Sequence, residues 1–171
     1  MNFKLTYDDL FMNMAYLISM KSKDESTKIG AVVVDDDNIV VSMGFNSLPR
    51  GINDNIKERQ KNPHKYSFMA HAERNSIYNS SRKGISLKNY TLYTLGFPCS
   101  GCTIAIIQSG IKEIVLCSNW QYNNNKWNEE SKISKEMLDE ANISIRYWNG
   151  TLQQIKACNG GEVYNFWLKN K

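Results

Sequence analysis

The 171-residue sequence has no stretch of about 18 consecutive apolar residues, which excludes a membrane-spanning helix. Its opening, MNFKLTYDDLFMNMAYLISMKSK, lacks the charged start, apolar block and small-residue cleavage site of a signal peptide. That stretch reads instead as an amphipathic helix of the fold, and a cytoplasmic setting is expected. Four cysteines are too few for a disulfide scaffold in a chain this long. Histidine is scarcer still, with only His64 and His71. No internal repeat or linker interrupts residues 1–171, so a single domain with one core is expected at 19.7 kDa. The net charge of +4 is spread along the chain; it suits an anionic small ligand or a nucleic acid and decides neither.

What is present orders itself readily. From Thr6 to Lys21, Leu10, Phe11, Met14, Leu17 and Ile18 share one face at helical spacing, and Asp8 or Asp9 can cap the first turn. IGAVVV (29–34) has the apolar, β-branched look of a buried strand, DDDN turns the chain, and IVVSMGF returns as its hairpin partner. Residues 46–67 read as loop, with a short helix near 56–61. A helix follows over 71–83 with Ala72, Ile77 and Tyr78 turned inward. A strand over 90–95 precedes a helix from Pro98 to Ser109, with proline in its first turn and Gly110 as its stop. A strand at 111–117, a helix at 129–141 and a strand at 143–148 complete an alternating pattern, which predicts a three-layer α-β-α domain. The tail CNGGEVYNFWLKNK has no readable role beyond a last helix or a cover for a sheet edge.

Two of the helix starts carry chemistry. Cys99 and Cys102, at i and i+3, project from one side of a first turn, where free N–H groups and the helix dipole favour thiolates. His71 opens the other helix. Two thiolates and one imidazole suit Zn²⁺, and three protein ligands leave the fourth corner to water, the catalytic arrangement. Glu73, two residues after His71, then has a task. A zinc-bound water has a pKa near 7 against about 15.7 in bulk, so a neighbouring carboxylate that does not ligate the metal can shuttle its proton. H-x-E followed by P-C-x-x-C is the signature of zinc nucleobase deaminases, and it stands here as HAE (71–73) and PCSGC (98–102). Read alone, the C-x-x-C could be a redox pair. His64 reads as a surface loop residue, Cys117 as core, and Cys158 has no role. Trp120 and Trp127 could line a base pocket or pack in the core.

The chain resembles the deoxycytidylate (dCMP) deaminases of the cytidine deaminase superfamily. The resemblance spans about residues 5–145 and is carried by MAYLISMKSKDESTKIGAVVV, GFNSLPRGIND, HAERNSIYNSSRKGISL and TLYTLGFPCSGCTIAIIQSGIKEIV. It implies a central five-stranded mixed sheet flanked by helices, in an oligomer, with a hexamer favoured. It also implies His71, Cys99 and Cys102 as ligands of one zinc per subunit, and Glu73 as the catalytic proton shuttle. Asn46 matches the asparagine that holds the sugar-phosphate part of the nucleotide, and the backbone of Ala72 the contact to the pyrimidine edge. Lys23, Arg50, Arg74 and Tyr122 are candidates for a phosphate, of which Lys23 and Tyr122 are assigned to the substrate.

Free-nucleoside cytidine deaminases present a cysteine where this chain has His71, and tRNA adenosine deaminases lack the RN after HAE and the insertion over 47–67. Relatives switched on by dCTP and off by dTTP carry GYNG, which here reads GFNS (44–47). Gly44, Asn46 and Arg50 are therefore the candidate effector contacts, with Mg²⁺ accompanying an effector triphosphate. Several regulated relatives add a structural zinc, where this chain offers only Asp24 and His64. The expected reaction is hydrolysis of dCMP to dUMP and ammonia. A deaminase acting on RNA or DNA and a non-catalytic zinc module are the alternatives; the first finds only a thin basic footprint, and the second leaves Glu73 unexplained.

Overall fold

A computed structural model describes residues 5–120, 129–151, 156–159 and 162–165. Its first helix, α1 (Tyr7–Ser19), starts on a capping box: Thr6 Oγ1 accepts from the Asp9 amide, and the Asp9 carboxylate accepts from the Thr6 amide. Asp9 is thus the capping residue. Asp8 instead accepts hydrogen bonds from Tyr93 and from Arg146, far along the chain. The buried face of α1 is Phe11, Met12, Ala15 and Ser19. Leu10 and Leu17, expected inside, are 40% and 47% exposed. The periodicity was right and its phase was not, because Phe11 packs on Tyr93, ring centroids 5.1 Å apart and planes tilted by 58°, and so sets the rotation of the helix.

β1 (Gly30–Val34) is buried at every position, as its unbroken apolar run requires. It forms the expected hairpin with β2 (Val40–Phe45) across a turn in which Asp35 Oδ1 accepts from the amides of Asp37 and Ile39. In the insertion a 3₁₀ turn occupies Lys57–Gln60, and α2 (His64–Phe68) begins directly after Pro63. α2 was missed because Pro63 reads as loop punctuation, yet proline is compatible with a helix start. His64 is exposed there, on a short helix rather than a loop.

α3 (Ala72–Ser81), β3 (Thr91–Thr94), α4 (Ser100–Ser109), β4 (Glu113–Cys117), α5 (Glu129–Glu140) and β5 (Ser144–Trp148) follow within a few residues of expectation. Gly110 stops α4 in the left-handed conformation, φ 78°. The sheet order is β2-β1-β3-β4-β5, with β1 antiparallel to both neighbours and β3, β4 and β5 mutually parallel. This is the five-stranded mixed sheet of the expected three-layer fold. α1 covers one face, while α3 covers the other and packs on α4, which packs on α5. Tyr78 is 47% exposed, a correction to its inward assignment, since α3 meets the sheet through Ala72, Ser76, Ile77 and Ser80. Cys117 is half-buried against the core. Of the tail, Lys156–Asn159 (β6) pairs antiparallel with Glu162–Asn165 (β7) as a separate two-stranded sheet, so these segments are strands, not the helix considered above.

Close approach of α3 to β2 depends on Gly44. A Cβ there would lie 2.4 Å from the Ser76 nitrogen and 2.5 Å from the Ala72 oxygen, both backbone. Gly44→Ala must therefore push α3 off the sheet, and a loss of about 1–3 kcal/mol in denaturant unfolding is expected, as for other overpacked sites.

Candidate metal centre and its surroundings

His71 and Cys99 occupy equivalent places in their helices. Each is an N-cap residue in extended conformation whose side chain makes no capping hydrogen bond, which leaves both free to face each other. Cys102, fully buried, sits one turn into α4. The packing of α3 on α4 brings the two helix starts together: His71 Nδ1 lies 3.4 Å from Cys99 Sγ and 3.5 Å from Cys102 Sγ. Bond lengths of about 2.3 Å to sulfur and 2.1 Å to nitrogen at a tetrahedral angle imply an S···N edge of about 3.6 Å. The ligand atoms are therefore already spaced for zinc. Among the described residues these three are the His, Cys, Asp or Glu group able to hold a metal.

Protonation in this cluster follows its contacts. Cys99 is held at about 3, foremost by the hydrogen bond from the Cys102 thiol, against the effect of burial and with help from His71. Cys102 is pushed up by its hydrogen bond to Cys99 and then by burial. His71 is raised above its ordinary value, first by Cys99. The pair of thiols shares a proton that a cation would displace. Glu73, only 4% exposed, is raised first by burial. A carboxyl raised by burial holds a proton more readily than an exposed one, which suits a group that takes and returns protons.

The other sequence candidates separate into two groups. Ala72 is fully buried at the start of α3, next to His71. Asn46 is buried, and its side chain is engaged inside the protein: Nδ2 donates to Thr27 O (2.8 Å) and Asp24 Oδ2 (3.1 Å), and Oδ1 accepts from the Ile29 amide (2.8 Å). Asn75, the asparagine of the RN that follows HAE, staples the end of β2 to the segment before α3. Its Nδ2 donates to Phe45 O, Ser47 Oγ and Ala70 O. Lys23 pairs with Asp54 at 2.8 Å, and Arg50 bonds the Asn79 side chain. These last two, given to separate sites above, line one cavity of about 380 Å³ together with Lys21, Asp24 and Asn75. Neither Glu73 nor the three metal-capable residues line it. Trp120 packs against the core. Tyr122 and Trp127 lie outside the described residues. Sequence reasoning passed over Lys65, whose ammonium sits 2.7 Å from the Asp24 carboxylate; a lysine in a polar insertion gives no local sign of such a partner.

The family model for the cytidine and deoxycytidylate deaminase zinc-binding region matches residues 5–118. A mouse (Mus musculus) protein named deoxycytidylate deaminase is 32% identical over 156 residues, covering 88% of this chain and 84% of that protein. The human (Homo sapiens) deoxycytidylate deaminase is 31% identical over 147 residues, covering 83% and 79%. In fold, the chain is similar to the dCMP deaminase of cyanophage S-TIM5 solved in complex with dCMP and dUMP. The TM-score is 0.68 at 22% sequence identity, over 86% of this chain and all (100%) of that one. The match reaches from α1 to the end of β4 and takes in HAE, PCSGC and both helix starts that carry them: the chain belongs to the cytidine and deoxycytidylate deaminase family.

Proposed function

We propose that this chain is a dCMP deaminase, converting dCMP and water to dUMP and ammonia, with residues 1–171 forming one deaminase domain. The observation that carries the reading is a buried carboxylate, Glu73, beside a three-ligand set of His71, Cys99 and Cys102 spaced for zinc. When bound, zinc supplies a Lewis acid that makes a water a usable nucleophile at neutral pH. Glu73 takes a proton from the attacking water as its oxygen bonds to C4 of the cytosine, and delivers that proton to N3. A second proton passed through Glu73 reaches the exocyclic nitrogen, the C4–N bond breaks, and ammonia leaves. The Ala72 backbone is assigned to the pyrimidine edge. Asn46 is assigned to the sugar, where the second lone pair of Oδ1 remains for a hydroxyl donor. Tyr122 remains a substrate candidate by resemblance.

Effector binding belongs, in this reading, to the cavity lined by Lys21, Lys23 and Arg50 together with Asp24 and Asp54, because it is separate from the metal cluster and offers cations to the phosphates and carboxylates to the Mg²⁺. dCTP is the activator and dTTP the inhibitor, with Gly44 acting through the packing of β2 on α3. One zinc per chain, a homo-oligomer with a hexamer favoured, and a cytoplasmic setting complete the proposal. No helix of the described residues is long and apolar enough to cross a membrane.

The test is ammonia release from dCMP, dCTP, CMP and cytidine in parallel, with metal analysis on the same sample. dCMP should be preferred, with one zinc per chain. No release from any of the four, with tight and salt-sensitive RNA binding, would sink the reading in favour of a polymer-directed enzyme.

A further inference from the structure

Asp24 is 3% exposed and carries a full charge into the interior. Burial pushes its carboxyl up, but the Lys65 ammonium and the Ser26 and Thr27 donors outweigh that and bring it below the usual carboxylate range. Its Oδ1 accepts from the Ser26 amide (2.9 Å), the Ser26 hydroxyl (2.9 Å), the Thr27 amide (3.2 Å) and Lys65 Nζ (2.9 Å). Its Oδ2 faces Lys65 at 2.7 Å and accepts from Asn46 Nδ2 at 3.1 Å. The loop after α1, the insertion helix α2 and the end of β2 thus meet at one carboxylate, through residues as far apart as Asp24 and Lys65.

The consequence falls on Asn46. An amide side chain has a donor end and an acceptor end that differ little in shape, so its orientation is set by its neighbours. Here Nδ2 faces two acceptors, Asp24 Oδ2 and Thr27 O, while Oδ1 faces the Ile29 amide. A flipped amide would set its oxygen against two other oxygens. Asp24 stays an acceptor at Oδ2 because Lys65 keeps it ionised in a buried place. From Lys65 the chain continues through Met69 to Ala70, whose backbone pairs with Ser47 in an isolated bridge; Ser47 follows Asn46 and Ala70 precedes His71.

We infer that Asp24 and Lys65 are positioning residues for nucleotide binding: their buried ion pair holds the Asn46 amide in the one orientation that leaves Oδ1 to accept from the nucleotide. The inference rests on the dCMP reading, and within it names residues that act on binding rather than on the chemical step. Neither residue belongs to the metal-capable cluster of His71, Cys99 and Cys102.

The test uses zinc-loaded protein carrying Lys65→Met, Lys65→Arg or Asp24→Asn, with kcat and KM for dCMP, zinc content and melting temperature measured against the wild type. Lys65→Met and Asp24→Asn should each raise KM at least about tenfold, the loss expected when one ligand hydrogen bond is misdirected, with kcat little changed and zinc retained. Lys65→Arg, which keeps the charge, should stay close to wild-type KM. A role in stability alone would lower the melting temperature and leave KM in place, and that result overturns the inference. So does a fall in kcat at constant KM. Lys65→Met leaves an unpaired carboxylate that is 3% exposed and could fail to fold; Asp24→Asn unpairs only the Lys65 ammonium, which at 17% exposure can reach water, and an unchanged KM there is equally fatal. A wild type that releases no ammonia from dCMP overturns both this inference and the reading beneath it, whereas active variants with wild-type KM overturn the inference alone.

Discussion

Replacing Glu73 by Gln is expected to leave zinc content, melting temperature and fold close to wild type while kcat falls by roughly 10⁴-fold, the upper end for a positioned acid–base group. The amide keeps the size of the carboxyl, so the buried space that Glu73 occupies stays filled. It also removes the requirement to bury an ionisable group, so stability should not suffer. In the proposed mechanism the lost group takes and returns every proton, so no second residue compensates. Single-turnover release of ammonia, with metal analysis on the same preparation, measures the effect. Near-wild-type turnover in the Gln variant would remove Glu73 from the mechanism. A variant that lost its zinc would instead identify Glu73 as a ligand.

Cys99→Ala is expected to lose both the metal and a large part of the stability. Cys99 and His71 are the N-caps of α4 and α3, so a cation bound between them ties two helix starts that otherwise meet through packing and the weak His71–thiol contacts. Binding to the folded state alone stabilises a protein by about 4 kcal/mol when free ligand stands at a thousand times Kd. Zinc per chain should fall from one to near zero after desalting, and the melting temperature should drop. The wild type treated with a strong chelator should then melt where the variant does. If the chelated wild type melts at its original temperature while the variant does not, the cysteine acts through packing and the metal contributes nothing to the fold.

The Asp24–Lys65 pair and Gly44 stand on a different footing from these two sites. Glu73 and Cys99 could be singled out from the sequence because their chemistry leaves a short, ordered trace: histidine, then carboxylate two residues on, then two thiols three apart. Lys65 leaves none, since a lysine in a polar insertion looks like any solvated charge and its partner lies 41 residues away. Gly44 reads in sequence as part of a motif, and only the 2.4 Å approach of the Ser76 backbone explains why no side chain fits there.

Local physics made most of the fold legible. The apolar run of β1, the Asp-rich turn, the Gly110 stop and the helix starts at His71 and Cys99 are each encoded within a few residues, because strand burial, turn conformation and helix capping are short-range effects. The identity of the metal-capable residues was determined at the same level. Tertiary structure alone decided the rotation of α1, which depends on Phe11 meeting Tyr93, and the parallel pairing of β4 with β5. It also decided that Lys23 and Arg50 share one cavity away from the metal cluster, and that the Asn46 side chain is held by Asp24. Those outcomes depend on distances between groups tens of residues apart, and a sequence pattern records the period of a helix or strand but not what its face will meet.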